Sequence, residues 1–385
     1  MSSGPRIYAD YNATSPLRPQ AKAAMASAFD LTGNPSSVHA EGRKARALVE
    51  GARETVAAAI GACRDDIAFT SGGTEAVSLA LRGALNAAPD SKLIASAIEH
   101  DAVTTIAGDV SSWPVTSDGV VDLDWLRTEV QRVKAAGQRP FVSLMLVNNE
   151  TGVIQPVARA AEIVCEAGGL IHCDAIQGLG KTDVSIIDLE VDYLSLSAHK
   201  IGGPQGVGAT YVKAGAPFAS IQTGGGQEFG RRAGTENVAG IAGFAAAVDA
   251  SLVGLNAYRE MSEHRDRMEE KLRAAAPSLQ IHGEGAERLA GVSCFGVEGL
   301  PSETQIMGLD LAGFAVSAGS ACSSGKVKPS RVLTAMGLSD TAARSAIRAS
   351  FGWATVWRDF DALAEAWIKH AARARPQLVK LDAHV

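Results

Sequence analysis

Two kinds of apolar periodicity alternate from Pro16 to Lys213, and this alternation limits the possible folds more than any other feature of the sequence. Stretches with helical spacing are separated by apolar runs of four to seven residues. Buried strands that alternate with helices predict an α/β fold whose mostly parallel sheet is covered on both faces, with ligands outside the carboxyl ends of its strands. The predicted strands are residues 67–70, 92–96, 141–147, 169–174, 192–197 and 208–212, and the predicted helices are residues 19–29, 37–60, 74–85, 123–136 and 157–167.

The pattern changes after Gly234, where a long helical stretch runs to about Pro277 and shorter strand-like and helical segments follow. A chain of 385 residues has room for two or three domains. We expect a large domain over residues 15–255 and a smaller α+β domain built from residues 1–14 and 256–385. The long helix is predicted to link them.

Charge and hydropathy exclude several classes of protein. The 42 acidic and 36 basic residues are interspersed and give a net charge of -6, so no electrostatic field favours direct nucleic-acid binding. No apolar run approaches the length of a membrane span, and the first residues lack the apolar segment of a signal peptide. We therefore expect a cytoplasmic protein without direct membrane or nucleic-acid contact.

The five cysteines form no C-x-x-C pair, which disfavours a disulfide framework and a zinc ribbon. Cys322 lies in a run of Gly, Ser and Ala at residues 316–330 that predicts a mobile loop, with Lys326 and Lys328 nearby to favour its thiolate. Cys322 is thus a candidate nucleophile, and the alternative is an incidental loop cysteine. The cysteines with a predicted structural role are Cys63, Cys165, Cys173 and Cys294.

The sequence contains no nucleotide-binding or metal-binding motif with the residue spacing that such a motif requires. Residues 178–182, GLGKT, resemble the end of a phosphate-binding P-loop, but position 175 is alanine where that motif requires glycine. No glycine cluster forms G-x-G-x-x-G between a strand and a helix, and no metal-ligand spacing such as H-E-x-x-H occurs. We therefore predict no resident metal.

Two motifs are suited to an anion and to covalent chemistry. In FTSGGTEA, residues 69–76, a strand runs through glycines into a helix that starts at Thr74, where free backbone N–H groups and a hydroxyl can cradle phosphate. The run LSLSAHK ends a strand with Ser197, His199 and Lys200, and a lysine whose pKa is lowered by enclosure can form a Schiff base. The ordinary alternatives are a capped turn and a surface lysine.

A third motif, IHCDAIQ, brings Asp174 to a strand end with Gln177 one turn later. A carboxylate there can hold a proton on a pyridine nitrogen, although a helix N-cap is the alternative. A phosphate cradle, a lysine and an aspartate together predict pyridoxal phosphate. His100 could stack on its ring or move protons, and Asn149 could bond a ring or substrate oxygen; their alternatives are a cap or surface residue and a turn residue.

These motifs, in this order, resemble those of the cysteine desulfurases, fold-type I pyridoxal phosphate enzymes of the aminotransferase class V superfamily. The long segment around Cys322 is similar to the NifS/IscS-like branch. The resemblance implies a mostly parallel sheet of the seven-stranded type and a smaller α+β domain. Further matching segments are YADYNATSP (8–16), GNPSSVH (33–39), GGGQEFGRRAGTEN (224–237), SAGSACSSG (317–325) and IRASFG (347–352).

The resemblance also implies a role for each motif residue. Lys200 would carry the cofactor, Asp174 would pair with its ring nitrogen, Gln177 would contact its ring oxygen, and His100 would stack on the ring and move protons. The implied phosphate ligands are Gly73, Thr74, Ser197 and His199, with Thr235 from the second subunit of a homodimer. The implied substrate contacts are Asn34, Asn149 and Arg348, with a turn before Pro35 as the alternative for Asn34.

The implied reaction removes sulfur from L-cysteine. It leaves L-alanine and a persulfide on Cys322, which a sulfur-acceptor protein such as an iron-sulfur scaffold would take up; Cys322 could then ligate a cluster transiently. Two alternatives stay open at this point: another class V enzyme, namely a selenocysteine lyase or transaminase, and a noncatalytic sulfur-transfer scaffold. The chain departs from the family pattern at Gly202, at Gln205, at Arg331 and over residues 76–78.

Overall fold

The computed structural model describes residues 6–106, 110–319 and 329–380. Its strands are β1 (Ile7–Tyr8), β2 (Ile67–Thr70), β3 (Ser91–Ser96), β4 (Ser111–Trp113), β5 (Arg139–Met145), β6 (Leu170–Asp174), β7 (Tyr193–Ser197), β8 (Gly208–Val212), β9 (Gln280–Ile281), β10 (Val292–Gly296), β11 (Phe314–Ala315), β12 (Ser317–Ala318) and β13 (Ala346–Ser350). Its α-helices are α1 (Pro19–Phe29), α2 (Ala40–Ala59), α3 (Gly73–Ala87), α4 (Asp101–Thr104), α5 (Leu123–Ala135), α6 (Val157–Glu166), α7 (Ile186–Leu189), α8 (Val238–Val253), α9 (Leu255–Ala275), α10 (Ser302–Leu311), α11 (Arg331–Ala335), α12 (Asp340–Ser345) and α13 (Trp357–Ala374).

A seven-stranded sheet in the order β2-β8-β7-β6-β5-β3-β4 organises the larger part of the molecule. Its pairs are parallel except where β8 runs antiparallel between β2 and β7. The α/β fold with a mostly parallel sheet is thereby confirmed. The edge strand β4 was not predicted, because three residues are too few to show a periodicity.

The antiparallel strand β8 aligns two segments that are distant in sequence. Its first residue, Gly208, pairs with Thr70 at the end of β2 and with Ser197 at the end of β7. A Cβ atom on Gly208 would lie 2.7 Å from the carbonyl carbon of Gly72 and 2.7 Å from Leu196 O. Glycine at this position therefore allows the start of α3 and the end of β7 to meet at one edge of the sheet.

The predicted long helix is two helices, α8 and α9, with a 59° bend between them. Gly254 separates them, and glycine is a poor residue for continuing a helix. The first helix is buried on most of its surface, whereas the second buries a stripe that includes Met268 and Leu272. The bend lies beside the predicted domain boundary at residue 255, and that boundary stays a prediction.

A second apolar core lies between α9, α10, α13 and a four-stranded sheet in the order β12-β13-β10-β9. Phe295 and Trp367 pack edge to face at its centre, with ring centroids 5.9 Å apart. The N-terminal strand β1 pairs in parallel with β11, so the first described residues join this part of the chain. Among the described residues no single helix is long and apolar enough to cross a membrane, and the bent pair α8–α9 passes only on length and composition.

Candidate active site

A cavity of about 700 Å³ lies at the carboxyl ends of β2, β3, β5, β6 and β7. Residues from the smaller sheet and from the N-terminal segment close its other side. Most of the predicted site residues line this one cavity, although they come from distant parts of the sequence. They are Gly73, Thr74, His100, Asn149, Asp174, Gln177, Ser197, His199, Lys200 and Arg348.

Three predicted residues are not placed in this wall. Cys322 lies outside the described residues. Asn34 and Thr235 are exposed and are not part of the described cavity lining. Asn34 Oδ1 accepts a hydrogen bond from Ser36 N–H at 2.9 Å, which forms the turn that was the alternative interpretation of this residue. The roles implied for these three residues stay predictions.

The phosphate cradle predicted at the start of α3 has a suitable geometry. Gly72 has a φ of 151°, and the free N–H groups of the first turn of α3 follow it. A Cβ on Gly73 would lie 2.5 Å from Ile176 Cδ1, so glycine keeps this end of the cavity open. Ser197 is 2% exposed, and its Oγ has no hydrogen-bond partner in the described part of the chain. An anion at this point would satisfy that hydroxyl group.

The amine of Lys200 lies against the N-terminal segment. Its Nζ donates to the carbonyl oxygens of Asn12 at 2.6 Å and Ala13 at 2.8 Å. The Asn12 side chain donates in turn to Asn149 O at 3.1 Å. The segment before α1 therefore holds both the lysine and a predicted substrate residue in place.

Asp174 ends β6 as a buried carboxyl group, 5% exposed. Its Oδ1 accepts a hydrogen bond from Ile176 N–H at 3.0 Å. Burial raises the pKa of Asp174, while that hydrogen bond and the charges of His100 and Lys200 act to lower it. A positively charged partner in the cavity would favour the carboxylate further.

The protonation of two histidines in the cavity wall follows from their surroundings. His100 Nδ1 accepts from Ala102 N–H at 3.0 Å, which assigns the proton of the neutral ring to Nε2. The same contact caps α4, so His100 combines the capping alternative with a place in the cavity. Burial and the charges of Lys200 and Lys181 lower the pKa of His199 to about 4, so its ring is neutral near pH 7.

The amide of Gln177 is fixed by two hydrogen bonds. Its Nε2 donates to Asn12 O at 2.8 Å, and its Oε1 accepts from Lys181 Nζ at 2.7 Å. Lys181 Nζ also donates to Asn12 Oδ1 at 3.1 Å, and burial lowers the pKa of this lysine well below its usual value. This network orients Gln177 beside the cavity. The contact of Gln177 with a ring oxygen stays a prediction.

Arg348 lies on β13 with its side chain 2% exposed. Its Nη1 donates to Asn149 O at 3.0 Å, and its Nη2 donates to Asp10 Oδ1 at 2.6 Å. Its Nε is buried without a partner among residues 6–106, 110–319 and 329–380. The guanidinium plane is therefore held firmly, and its N–H groups that are not used in these two hydrogen bonds remain for a ligand such as a carboxylate.

Several residues of the site were not predicted. Asn12 and Lys181 hold Lys200 and Gln177, Glu99 and Glu150 are buried acids in the cavity wall, and Arg331 lies at the rim. The only sequence signals were the position of Glu99 before His100 and of Glu150 after Asn149. Neither signal distinguishes a buried acid from an exposed one.

Comparison with known proteins places this geometry in a family. The model of the class V aminotransferases matches residues 7–363. A cysteine desulfurase of Cereibacter sphaeroides is 40% identical over 371 residues, covering 94% of each chain. The structure is similar to a NifS-like protein of Rickettsia africae, with a TM-score of 0.86 and 32% identity over 95% of this chain and 99% of that one. It is also similar to a structure described as SspA in complex with cysteine, with a TM-score of 0.76 and 30% identity over 90% of this chain and 98% of that one.

The chain belongs to the class V aminotransferase family, within which it lies among the cysteine desulfurases of the NifS/IscS-like branch. The resemblance seen in the sequence motifs is thereby confirmed, and so is the fold-type I architecture.

Proposed function

We propose that this protein is a pyridoxal phosphate-dependent cysteine desulfurase. One observation carries the proposal: a lysine, a buried aspartate and an anion cradle from three separate motifs line a single cavity. Each group matches one part of the cofactor, and each could have an ordinary role if it stood alone. Their convergence is far less probable by chance than any one of them.

The residues present fit pyridoxal phosphate. The first turn of α3 and Ser197 Oγ, which has no partner among the described residues, would hold the phosphate. Asp174 would hold the ring nitrogen, and Lys200 would hold the aldehyde carbon. When bound, the cofactor supplies an electron sink for the pair released at the substrate Cα.

The chain's own residues would bind and orient L-cysteine in the same cavity. Arg348, in the cavity lining, would take the substrate carboxylate through its guanidinium group. The Lys200 amine would remove the Cα proton, and His100 Nε2, in the wall of the same cavity, would pass protons. The walls of the cavity would limit the access of bulk water.

The sulfur would leave on Cys322. In this step the Cys322 thiolate forms a bond to the substrate sulfur, the substrate Cβ–S bond breaks, and Cβ takes a proton, so that the products are L-alanine and a Cys322 persulfide. Free L-cysteine is the only co-reactant, and no external oxidant is needed.

The proposal extends to partners and location. A second copy of the chain would bring the exposed Thr235 to the phosphate of its neighbour in a homodimer. An acceptor protein such as an iron-sulfur scaffold would receive the persulfide sulfur. The same proposal places the protein in the cytoplasm, away from membranes and nucleic acid.

Two substitutions test the function. We expect Lys200→Ala to lose the visible absorbance of lysine-bound pyridoxal phosphate, and Cys322→Ser to stop persulfide formation from cysteine. Cys63→Ser is the matched control, because Cys63 is an exposed cysteine outside the described cavity lining. Alanine release at an undiminished rate from selenocysteine in Cys322→Ser would favour a selenocysteine lyase. Persulfide formation in Cys322→Ser equal to wild type would contradict the proposal.

A further inference from the structure

Glu150 is a buried acid in the wall of the active-site cavity, and none of the proposed roles uses it. It directly follows Asn149 and is 6% exposed. Its backbone is fixed in the turn after β5, where the N–H groups of Glu150 and Thr151 both donate to Asn148 Oδ1 at 2.9 Å. The side chain of Glu150 therefore leaves a well-held backbone, and its contacts indicate what it positions.

Ser330 is the first contact of the Glu150 carboxyl group. Ser330 is 2% exposed, and its Oγ donates to Glu150 Oε2 at 2.5 Å. The same hydroxyl oxygen accepts from Leu333 N–H at 3.1 Å and so caps the start of α11. Its single hydrogen is thus directed to the acid while a lone pair serves the helix. Through Ser330, Glu150 fixes the beginning of α11 to the cavity wall.

Gly319 is the second contact of the same carboxyl oxygen. A Cβ atom on Gly319 would clash with Glu150 Oε2, and it would lie 3.2 Å from Ser330 Cβ. Gly319 is the last described residue before Cys322, and Ser330 is the second described residue after it. Both ends of the segment that contains Cys322 therefore meet at one oxygen atom. Glu150, Gly319 and Ser330 form what we call the anchor point.

The anchor point lies beside the groups proposed to bind the substrate. Asn149, directly before Glu150, accepts a hydrogen bond from Arg348 Nη1 at 3.0 Å through its carbonyl oxygen. Ser317, two residues before Gly319, pairs with Arg348 in the smaller sheet. Gly319, Glu150 and Arg348 line the same cavity. The anchor point and the guanidinium group are thus held in one wall.

The position of Gly319 limits where the nucleophilic thiol can be. Cys322 follows it by three residues, and consecutive Cα atoms are about 3.8 Å apart, so the two Cα atoms cannot be more than about 11 Å apart. A thiol tethered close to its target has a higher effective concentration there than one on an untethered chain. Holding Gly319 at the cavity therefore favours the attack on the substrate sulfur.

We infer that Glu150 is a positioning residue, which holds both ends of the Cys322 segment at the cavity wall and so keeps the thiol within reach of the substrate sulfur. The inference rests on the proposed role of Cys322 as the sulfur-accepting thiol. It assigns a function to the acid that follows Asn149, and it explains why residue 319 has no room for a side chain.

Hydrogen exchange of the apoprotein, followed by mass spectrometry, tests the anchoring without cofactor or turnover. We expect Glu150→Ala to raise the exchange rates of amides in residues 314–319 and 330–335 roughly tenfold, as is typical for the loss of one hydrogen bond. Glu150→Gln keeps an acceptor oxygen and should retain most of the protection at both ends. Wild-type exchange rates at both ends in Glu150→Ala would overturn the inference.

Ser330→Ala and Ser339→Ala form a matched pair of variants. Both serines cap a short helix and donate to a glutamate, but Ser339 donates to the exposed Glu298 at 3.2 Å. Only Ser330→Ala removes a contact of Glu150. In a single turnover with L-cysteine, Ser330→Ala should form the Cys322 persulfide about tenfold more slowly than Ser339→Ala, at equal cofactor affinity, because the thiol is less confined. Equal rates in the two variants would contradict the inference, even if Glu150→Ala does not fold.

These outcomes are separate from a failure of the proposed function. If the chain is not a cysteine desulfurase, wild type itself forms no persulfide from cysteine, whereas the hydrogen exchange of the apoprotein is unaffected. If only the role of Glu150 is wrong, wild type forms the persulfide and Ser330→Ala forms it as fast as Ser339→Ala does.

Discussion

The buried hydroxyl of Ser197 has no hydrogen-bond partner among the described residues. Its removal should therefore raise the stability of the apoprotein while it lowers the affinity for the cofactor. A buried hydroxyl without a partner costs about 1–3 kcal/mol in free energy of unfolding. Ser197→Ala removes that hydroxyl group, so the free energy of unfolding of the apoprotein should be unchanged or higher by up to about 1–3 kcal/mol. The same change removes a hydrogen bond to the cofactor phosphate, so cofactor affinity should fall roughly ten- to a hundredfold.

Ser195→Ala is the matched control on the same strand. Ser195 is fully buried, and its Oγ is paired with His172 Nε2 at 2.9 Å. Its removal leaves the histidine nitrogen unpaired and should cost about 1–3 kcal/mol in free energy of unfolding. Cofactor affinity should stay at the wild-type value, because Ser195 is not part of the described cavity lining.

Urea unfolding of the two apoproteins and an absorbance titration with pyridoxal phosphate measure both quantities. If Ser197 were buried without contacting the phosphate, both substitutions would change only the free energy of unfolding and would leave the cofactor affinity unchanged. If Ser197→Ala destabilises the apoprotein as Ser195→Ala does and binds the cofactor with wild-type affinity, the assignment of Ser197 to the phosphate is wrong.

Two further predictions concern the framework of the site. Gly208→Ala should cost about 1–3 kcal/mol in free energy of unfolding, because its Cβ would meet backbone atoms at 2.7 Å. Gly51→Ala is the control: Gly51 lies in α2 with open space around it, so this substitution should stabilise by about 0.5–1 kcal/mol. Equal unfolding midpoints of the two variants would contradict this contrast. Burial lowers the pKa of His282 to about 4, so the unfolded chain binds the extra proton between about pH 6.5 and 4, and stability should fall as the pH falls through that window. His282→Gln should reduce this fall by up to about 1.4 kcal/mol per pH unit, measured by urea unfolding at several pH values. The same pH dependence in His282→Gln and wild type would contradict the expected protonation.

The positions of the main strands along the chain could be predicted from the sequence, because a short apolar run is a local pattern. Short apolar runs at 67–70 and 208–212 coincide with β2 and β8, and the helix predicted at 19–29 coincides with α1. Three differences required the structure: the edge strand β4, the antiparallel direction of β8, and the bend at Gly254. Strand direction and edge pairing depend on partners distant in the chain, so no local pattern contains them.

The candidate site also contains some residues that the sequence predicted and others that only the structure revealed. Lys200, Asp174 and Ser197 could be predicted because each one ends an apolar strand, and strand ends of a parallel sheet meet at one edge. Asn12 and Lys181 could not, since they lie 169 residues apart and no pattern marks either one. Their pairing follows only from the packing of the N-terminal segment against the large sheet.

By itself, the sequence determined which chemical groups this protein has: an anion cradle, an amine, a carboxyl group at a strand end, a guanidinium and a thiol in a glycine-rich segment. Only the tertiary structure determined the burial, the hydrogen-bond partners and the pKa values of most of those groups. Glu99 and Asp174 are both buried acids, and burial raises the pKa of each, to about 8 for Glu99, whereas the charges of His100 and Lys200 oppose the rise for Asp174. The reason is physical, because burial and neighbouring charge determine a pKa, and both are set by residues brought together from distant parts of the chain.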